Sequence, residues 1–167
     1  QQLAEDILAL AKNSLVVNFR FLDRAVSRAR FVRDDMVSLA TDGDNIYYSP
    51  FFVLHRYKAE QTAMSRDLLH CLLHCVFRHN FMDREMDPLR WDLACDIAVE
   101  NTINQLHAPN LHCVRESIQG ATISMLEKEL GLLTAERIYK WLGDMGFDED
   151  ELERQRQPFR ADGHGVW

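Results

Sequence analysis

The stretch that most constrains this chain runs from Met64 to Asn80, preceded by Ala63, and reads AMSRDLLHCLLHCVFRHN. Leu69, Leu72, Leu73 and Val76 recur at three- and four-residue spacing, which predicts the inward stripe of one amphipathic helix. His70 and His74 stand one turn apart at the border of that stripe. Two imidazoles at i and i+4 project in the same direction and can grip one ion.

This spacing is the frame of the H-E-x-x-H motif, in which two histidines bind zinc and the glutamate is the general base. Here the frame reads His70-Cys71-Leu72-Leu73-His74, so a cysteine holds the position of the base. A thiol is shorter than a glutamate side chain and has a different pKa, and beside zinc it tends to ligate instead. Losing a general base removes roughly 10²–10⁴-fold in rate.

At 167 residues the chain is long enough for one domain with a real core, and a single domain over 1–167 is the expectation. Hydrophobic residues make up 47% and charged residues 27%, as in an ordinary globular protein. The net charge of −7 offers no basic footprint for nucleic acid or an anionic membrane. No apolar run has the length of a membrane span. Cysteines 71, 75, 95 and 113 lie mostly inside helical patterns, which points to a reduced, cytoplasmic setting. The start at Gln1 and the abrupt end at Trp167 read as a piece of a longer protein.

Along the chain, Gln1 to Lys12 reads as a helix with Leu3, Ile7, Leu8 and Leu10 inward, stopped at Asn13-Ser14. A second helix follows from Leu15 to Arg30, with arginines 20, 24, 28, 30 and 33 forming a solvated basic face or a docking face. Met36 to Thr41 and Asn45 to Ser49 flank Asp42-Gly43-Asp44 as a β-hairpin, the one clear β element. Phe51 to His55 is expected to form a short helical turn. Arg78 to Asp87 reads as a polar loop and Pro88 as the start of the next helix. His107 to Gln119 looks loop-like, Ser124 to Leu130 suits a short helix, and Thr134 can cap another that Gly146 closes. Asp148 to Gln157 reads as a charged, weakly anchored helix, and the tail after it has no period.

The predicted helix from Arg90 to Leu106 is apolar on most sides, yet Asp92, Asp96 and Glu100 recur along it every four residues. A buried carboxylate is costly unless it is paired, hydrogen-bonded or bound to metal. The histidine helix and this acidic helix are therefore the two informative features.

With these residues in place, the chain resembles a bacterial zinc-metallopeptidase (zincin-like) domain that precedes a von Willebrand factor A-like domain. The resemblance is carried by Thr41-Asp42-Gly43, Tyr47-Tyr48-Ser49-Pro50, His70-Cys71-Leu72-Leu73-His74 with Arg78-His79, and Trp91-Asp92-Leu93-Ala94-Cys95-Asp96. Thr134-Ala135-Glu136-Arg137-Ile138-Tyr139 and Asp162-x-His164-x-x-Trp167 complete the ordered set. It implies a mostly helical α+β fold of zincin-like architecture, with a small hairpin or sheet packed on an active-site-type helix. It also implies zinc as cofactor, metal ligands at His70, His74 and Asp96, and a downstream von Willebrand factor A-like domain.

The Cys71 departure then predicts a metal-binding domain degenerate as a peptidase, serving as a binding or regulatory module for a peptide or protein. The alternatives are an active zinc-dependent hydrolase whose base is another carboxylate, such as Glu100 or Asp92, and a metal-free helical scaffold docking through its arginine-rich helix. Cys71 with His70, His74 and Asp96 would make a thiolate-containing site, although free cysteine is more often a small buried hydrophobe. Glu100 shares the Asp96 face and could support a ligand from behind. His79 points away from His74 on a straight helix, and reaches the site only if the loop turns back. His164 reaches it only if the tail folds over. His55, His107 and His112 are expected at the surface.

Overall fold

A computed structural model of the chain describes residues 1–81, 83 and 85–167. They form a mostly helical α+β protein whose residues group into two compact units. The first unit comprises residues 1–80, 108–113 and 161–167 and the second residues 81–107 and 114–160.

The first unit is built around α4 (Gln61–Phe77), in which every residue from Ala63 to His74 is buried. Helix α1 (Gln2–Asn18) packs against it through Ala4, Ile7, Leu8, Ala11 and Leu15, while Leu3 and Leu10, expected inward, are exposed. The helix runs straight through Asn13-Ser14. Burial of Leu15 outweighs the local capping tendency of that pair. A 3-10 turn (Arg20–Leu22) and a short α2 (Asp23–Arg28) then replace the single long helix expected there. Helix α3 (Pro50–Ala59) is longer than the turn expected; Ser49 accepts from the Phe52 amide and Pro50 opens the first turn.

The hairpin forms as expected, with β2 (Leu39–Thr41) antiparallel to β3 (Asn45–Tyr48). A further strand, β1 (Arg30–Arg33), pairs in parallel with β3, giving the order β1-β3-β2. Strand β1 is largely exposed, so it shows no inward–outward alternation in sequence. The turn is over-determined: Asp42 accepts from the amides of Asp44 and Asn45 and from the Tyr47 hydroxyl. Burial works against the ionised Asp42 carboxyl, but these hydrogen bonds hold it well below the usual carboxylate range.

Strand β2 lies against α4, where Thr41 Oγ1 is 3.4 Å from Cys75 Sγ. The C-terminal residues run beside β2: Gly163 N donates to Leu39 O at 2.8 Å, and Ala40 and Gly163 form a parallel bridge. Asp162 and His164 flank that bridge and so share a side of the extended segment.

The second unit contains α5 (Pro88–Gln105), α6 (Val114–Leu130), α7 (Ala135–Met145) and α8 (Glu149–Arg156). Asp87, Thr134 and Asp148 cap α5, α7 and α8 by accepting from the third amide on, and Gly146 ends α7 at φ +67°. Helix α6 starts inside the stretch expected as loop. Buried Gln119 donates to Pro158 O, and Arg115 reaches Glu100, contacts invisible to a local pattern. Helix α8 is firmly held: Arg156 is buried and bridges Asp92 at 3.2 Å and Asp96 at 3.0 Å. With Glu100 bound by Arg115 at 3.0 Å, each carboxylate of the acidic stripe has an arginine partner within this unit.

The loop expected over residues 78–87 contains Met82 and Arg84, which lie outside the described residues. Among the described residues no helix is long and apolar enough to cross a membrane.

Candidate metal centre

Helix α4 supplies the first two groups. His70 and His74 are fully buried, with ring centroids 4.7 Å apart, as one helical turn dictates. Val76, expected on the inward stripe that they border, is instead about half exposed, because the buried stretch of α4 ends at His74.

The third group comes from the tail. Asp162 is buried, and its Oδ1 lies 3.6 Å from His70 Nε2, 3.9 Å from His74 Nε2 and 3.1 Å from His164 Nε2. Candidate ligand atoms of His70, His74 and Asp162 all lie within 4.8 Å of one another. Burial alone would push the Asp162 carboxyl up, but the imidazoles of His74, His164 and His70 outweigh it and hold the group ionised, well below the usual range.

His79 does turn back. Arg78 caps α4 in the left-handed conformation at φ 61°, and the His79 amide donates to His74 O. This brings His79 Nδ1 to 3.0 Å from His74 Nδ1, leaving the Nε2 edge of His74 on the Asp162 side. An outer partner on the second ring nitrogen is how ligating histidines are oriented. His164 also lies at the site, stacked on Trp167 with centroids 3.7 Å apart, and Trp167 meets the His74 ring edge-on at 5.0 Å. His70, His74 and His164 thus surround Asp162, and His79 is joined to them through His74.

Cys71 is fully buried and its thiol donates to Asp162 Oδ2 at 3.3 Å. Burial, then the Asp162 carboxylate, push the thiol pKa well up, so it is a neutral donor here and not a base. Asp96 and Glu100, the other residues expected at the site, are buried on α5 in the second unit and hold the arginine pairs described above. His55, His107 and His112 are exposed, as expected. Asp162 is the residue that sequence reasoning missed as a ligand; its signal was the Asp162-x-His164-x-x-Trp167 pattern, read without a role.

Two imidazoles and an ionised carboxylate, converging at buried positions with a hydrogen-bonded outer shell, are the donor set of a zinc-type divalent ion. The residues present fit such a group. Fold and site together make a mostly helical α+β domain with a candidate imidazole–carboxylate metal centre. The family comparison agrees: residues 4–165 match the family described as "Putative metallopeptidase domain", and the chain belongs to it. No curated protein and no solved structure matches the chain.

Proposed function

We propose that this domain binds one zinc ion through His70, His74 and Asp162, and that it is degenerate as a peptidase. The observation that carries the reading is the convergence of these three buried side chains on one point. Asp96, the third ligand that the resemblance implies, is kept in the proposal on the Trp91-x-x-Ala94-x-Asp96 pattern alone. When bound, zinc supplies Lewis-acid polarisation of a carbonyl oxygen.

The chain's own residues then divide the work. His79 fixes the His74 ring through Nδ1. His164 and Cys71 orient the two oxygens of Asp162. No base stands at position 71, because the thiol there is neutral and already donating. Glu100 and Asp92 are held by Arg115 and Arg156, which disfavours either as a replacement base. The degenerate reading is therefore preferred to the active hydrolase. The domain serves as a peptide- or protein-binding or regulatory module, ahead of a von Willebrand factor A-like domain in a bacterial cytoplasmic protein.

The test is zinc affinity by competition with a chromophoric chelator, together with a peptide-hydrolysis assay on the zinc-loaded domain. The reading expects tight zinc binding lost in His74→Ala, with no hydrolysis above background. Chelator-sensitive hydrolysis by the wild-type domain would overturn the degenerate part and leave the metal part standing.

A further inference from the structure

The arginine-rich run lines a cavity that the metal centre does not use. Arg28 and Arg30, at the end of α2 and the start of β1, border a space of about 570 Å³ whose other walls include Thr41 and Ile46 of the hairpin and Leu72 and Cys75 of α4. The lining combines apolar side chains with two guanidinium groups. All these residues belong to the first unit.

Neither Arg28 nor Arg30 has an ion pair or a side-chain hydrogen bond among the described residues, whereas Arg33 nearby is engaged by Asp35 at 2.7 Å. Among the described residues Asp44 is the one carboxylate lining the cavity, so two cations face one anion in a chain whose net charge is −7. A local positive excess beside a cavity attracts anions, and a guanidinium fork matches a carboxylate in bidentate fashion. The thiol on the wall is already engaged: Cys75 Sγ contacts Thr41 Oγ1 and Cys71 O, each at 3.4 Å. Cys75 also follows His74 directly, so the cavity opens on the same helical turn as the metal centre.

We propose that this cavity binds the carboxylate of a peptide, with Arg28 and Arg30 as its cation pair and Ile46 and Leu72 as the apolar surface for the adjoining side chain. That a peptide carries the carboxylate rests on the metallopeptidase-like reading; the preference for a carboxylate rests on the arginines alone. The carboxylate comes from a chain terminus or from a Glu or Asp side chain.

Fluorescence anisotropy with three rhodamine-labelled hexapeptides separates these sources. One peptide has a free C-terminus and no acidic residue, one is amidated with a single Glu, and one is amidated with none. The proposal expects at least one carboxylate peptide to bind ten-fold or more tighter than the neutral one, with binding that weakens as salt rises. The Arg28→Gln/Arg30→Gln double variant, changed only at exposed positions, loses that ten-fold preference, and Ala29→Trp blocks the cavity by bulk. Whichever carboxylate peptide binds names the source. Equal binding of the neutral peptide, unchanged binding by the double variant, or no binding by any peptide would overturn the proposal. Zinc content measured on the same samples keeps the two readings apart: it stays unchanged in the double variant, and a zinc-free domain that still prefers the carboxylate peptide refutes only the metal centre.

Discussion

The Cys71 thiol donates to Asp162 Oδ2 across 3.3 Å, tying the histidine helix to a residue 91 positions later in the chain. A glutamate in its place would set a second carboxylate beside an ionised one in a fully buried pocket. Two carboxylates so placed repel unless a cation lies between them. Cys71→Glu is therefore expected to lower the thermal midpoint of the metal-free domain by several degrees, and added zinc to restore more of it than in wild type. Differential scanning fluorimetry with and without zinc reads this directly. An equal zinc response in both proteins would contradict it.

His79 acts on the centre through His74, from which its Nδ1 is 3.0 Å away. His79→Ala is expected to keep the fold and to weaken zinc binding by roughly 10–100-fold, the usual cost of losing such an outer partner. Chelator competition and circular dichroism on the same sample separate the two effects.

Gly43 holds the hairpin turn at φ +98°, and a Cβ built there would lie 2.9 Å from Asn80 Nδ2. Gly43→Ala should cost about 1–3 kcal/mol through backbone strain and the forced shift of Asn80. Adding Asn80→Ala removes the clash but not the strain, so the double variant recovers only part of the loss. Urea midpoints measure both.

The Asp42 carboxyl gives a pH signature. Its folded pKa is depressed below the ordinary 3.8, by hydrogen bonds that outweigh burial. The unfolded chain therefore takes up the proton first, and the stability that the turn contributes is present above about pH 4 and lost as pH falls below it. Asp42→Ala should flatten the stability profile between pH 5 and pH 3, read from urea unfolding at each pH.

What the sequence disclosed followed local periodicity. His70 and His74 were legible because one helical turn joins them, and α5 and α7 because caps and apolar spacing agreed. Asp162 was not legible as a ligand: it sits in an aperiodic tail that one backbone bridge from Gly163 to β2 brings to α4. The return of His79 depends on Arg78 adopting a left-handed conformation, which an arginine does not announce. The acidic stripe on α5 shows in sequence that partners are needed, but Arg115 and Arg156 are distant in sequence and carry no pattern that points to it. Strand β1 escaped because its exposed residues continue the arginine run of the helix before it.

The most direct test of the metal centre is elemental mass spectrometry on purified wild-type, His70→Ala, Asp162→Ala and Asp96→Ala domains after zinc loading and desalting. About one zinc per wild-type chain is expected, and loss of that zinc in His70→Ala and Asp162→Ala with helical content retained. The Asp96→Ala arm decides whether that carboxylate joins the set. A wild-type domain that holds no zinc, or zinc that persists undiminished in both His70→Ala and Asp162→Ala, would contradict it.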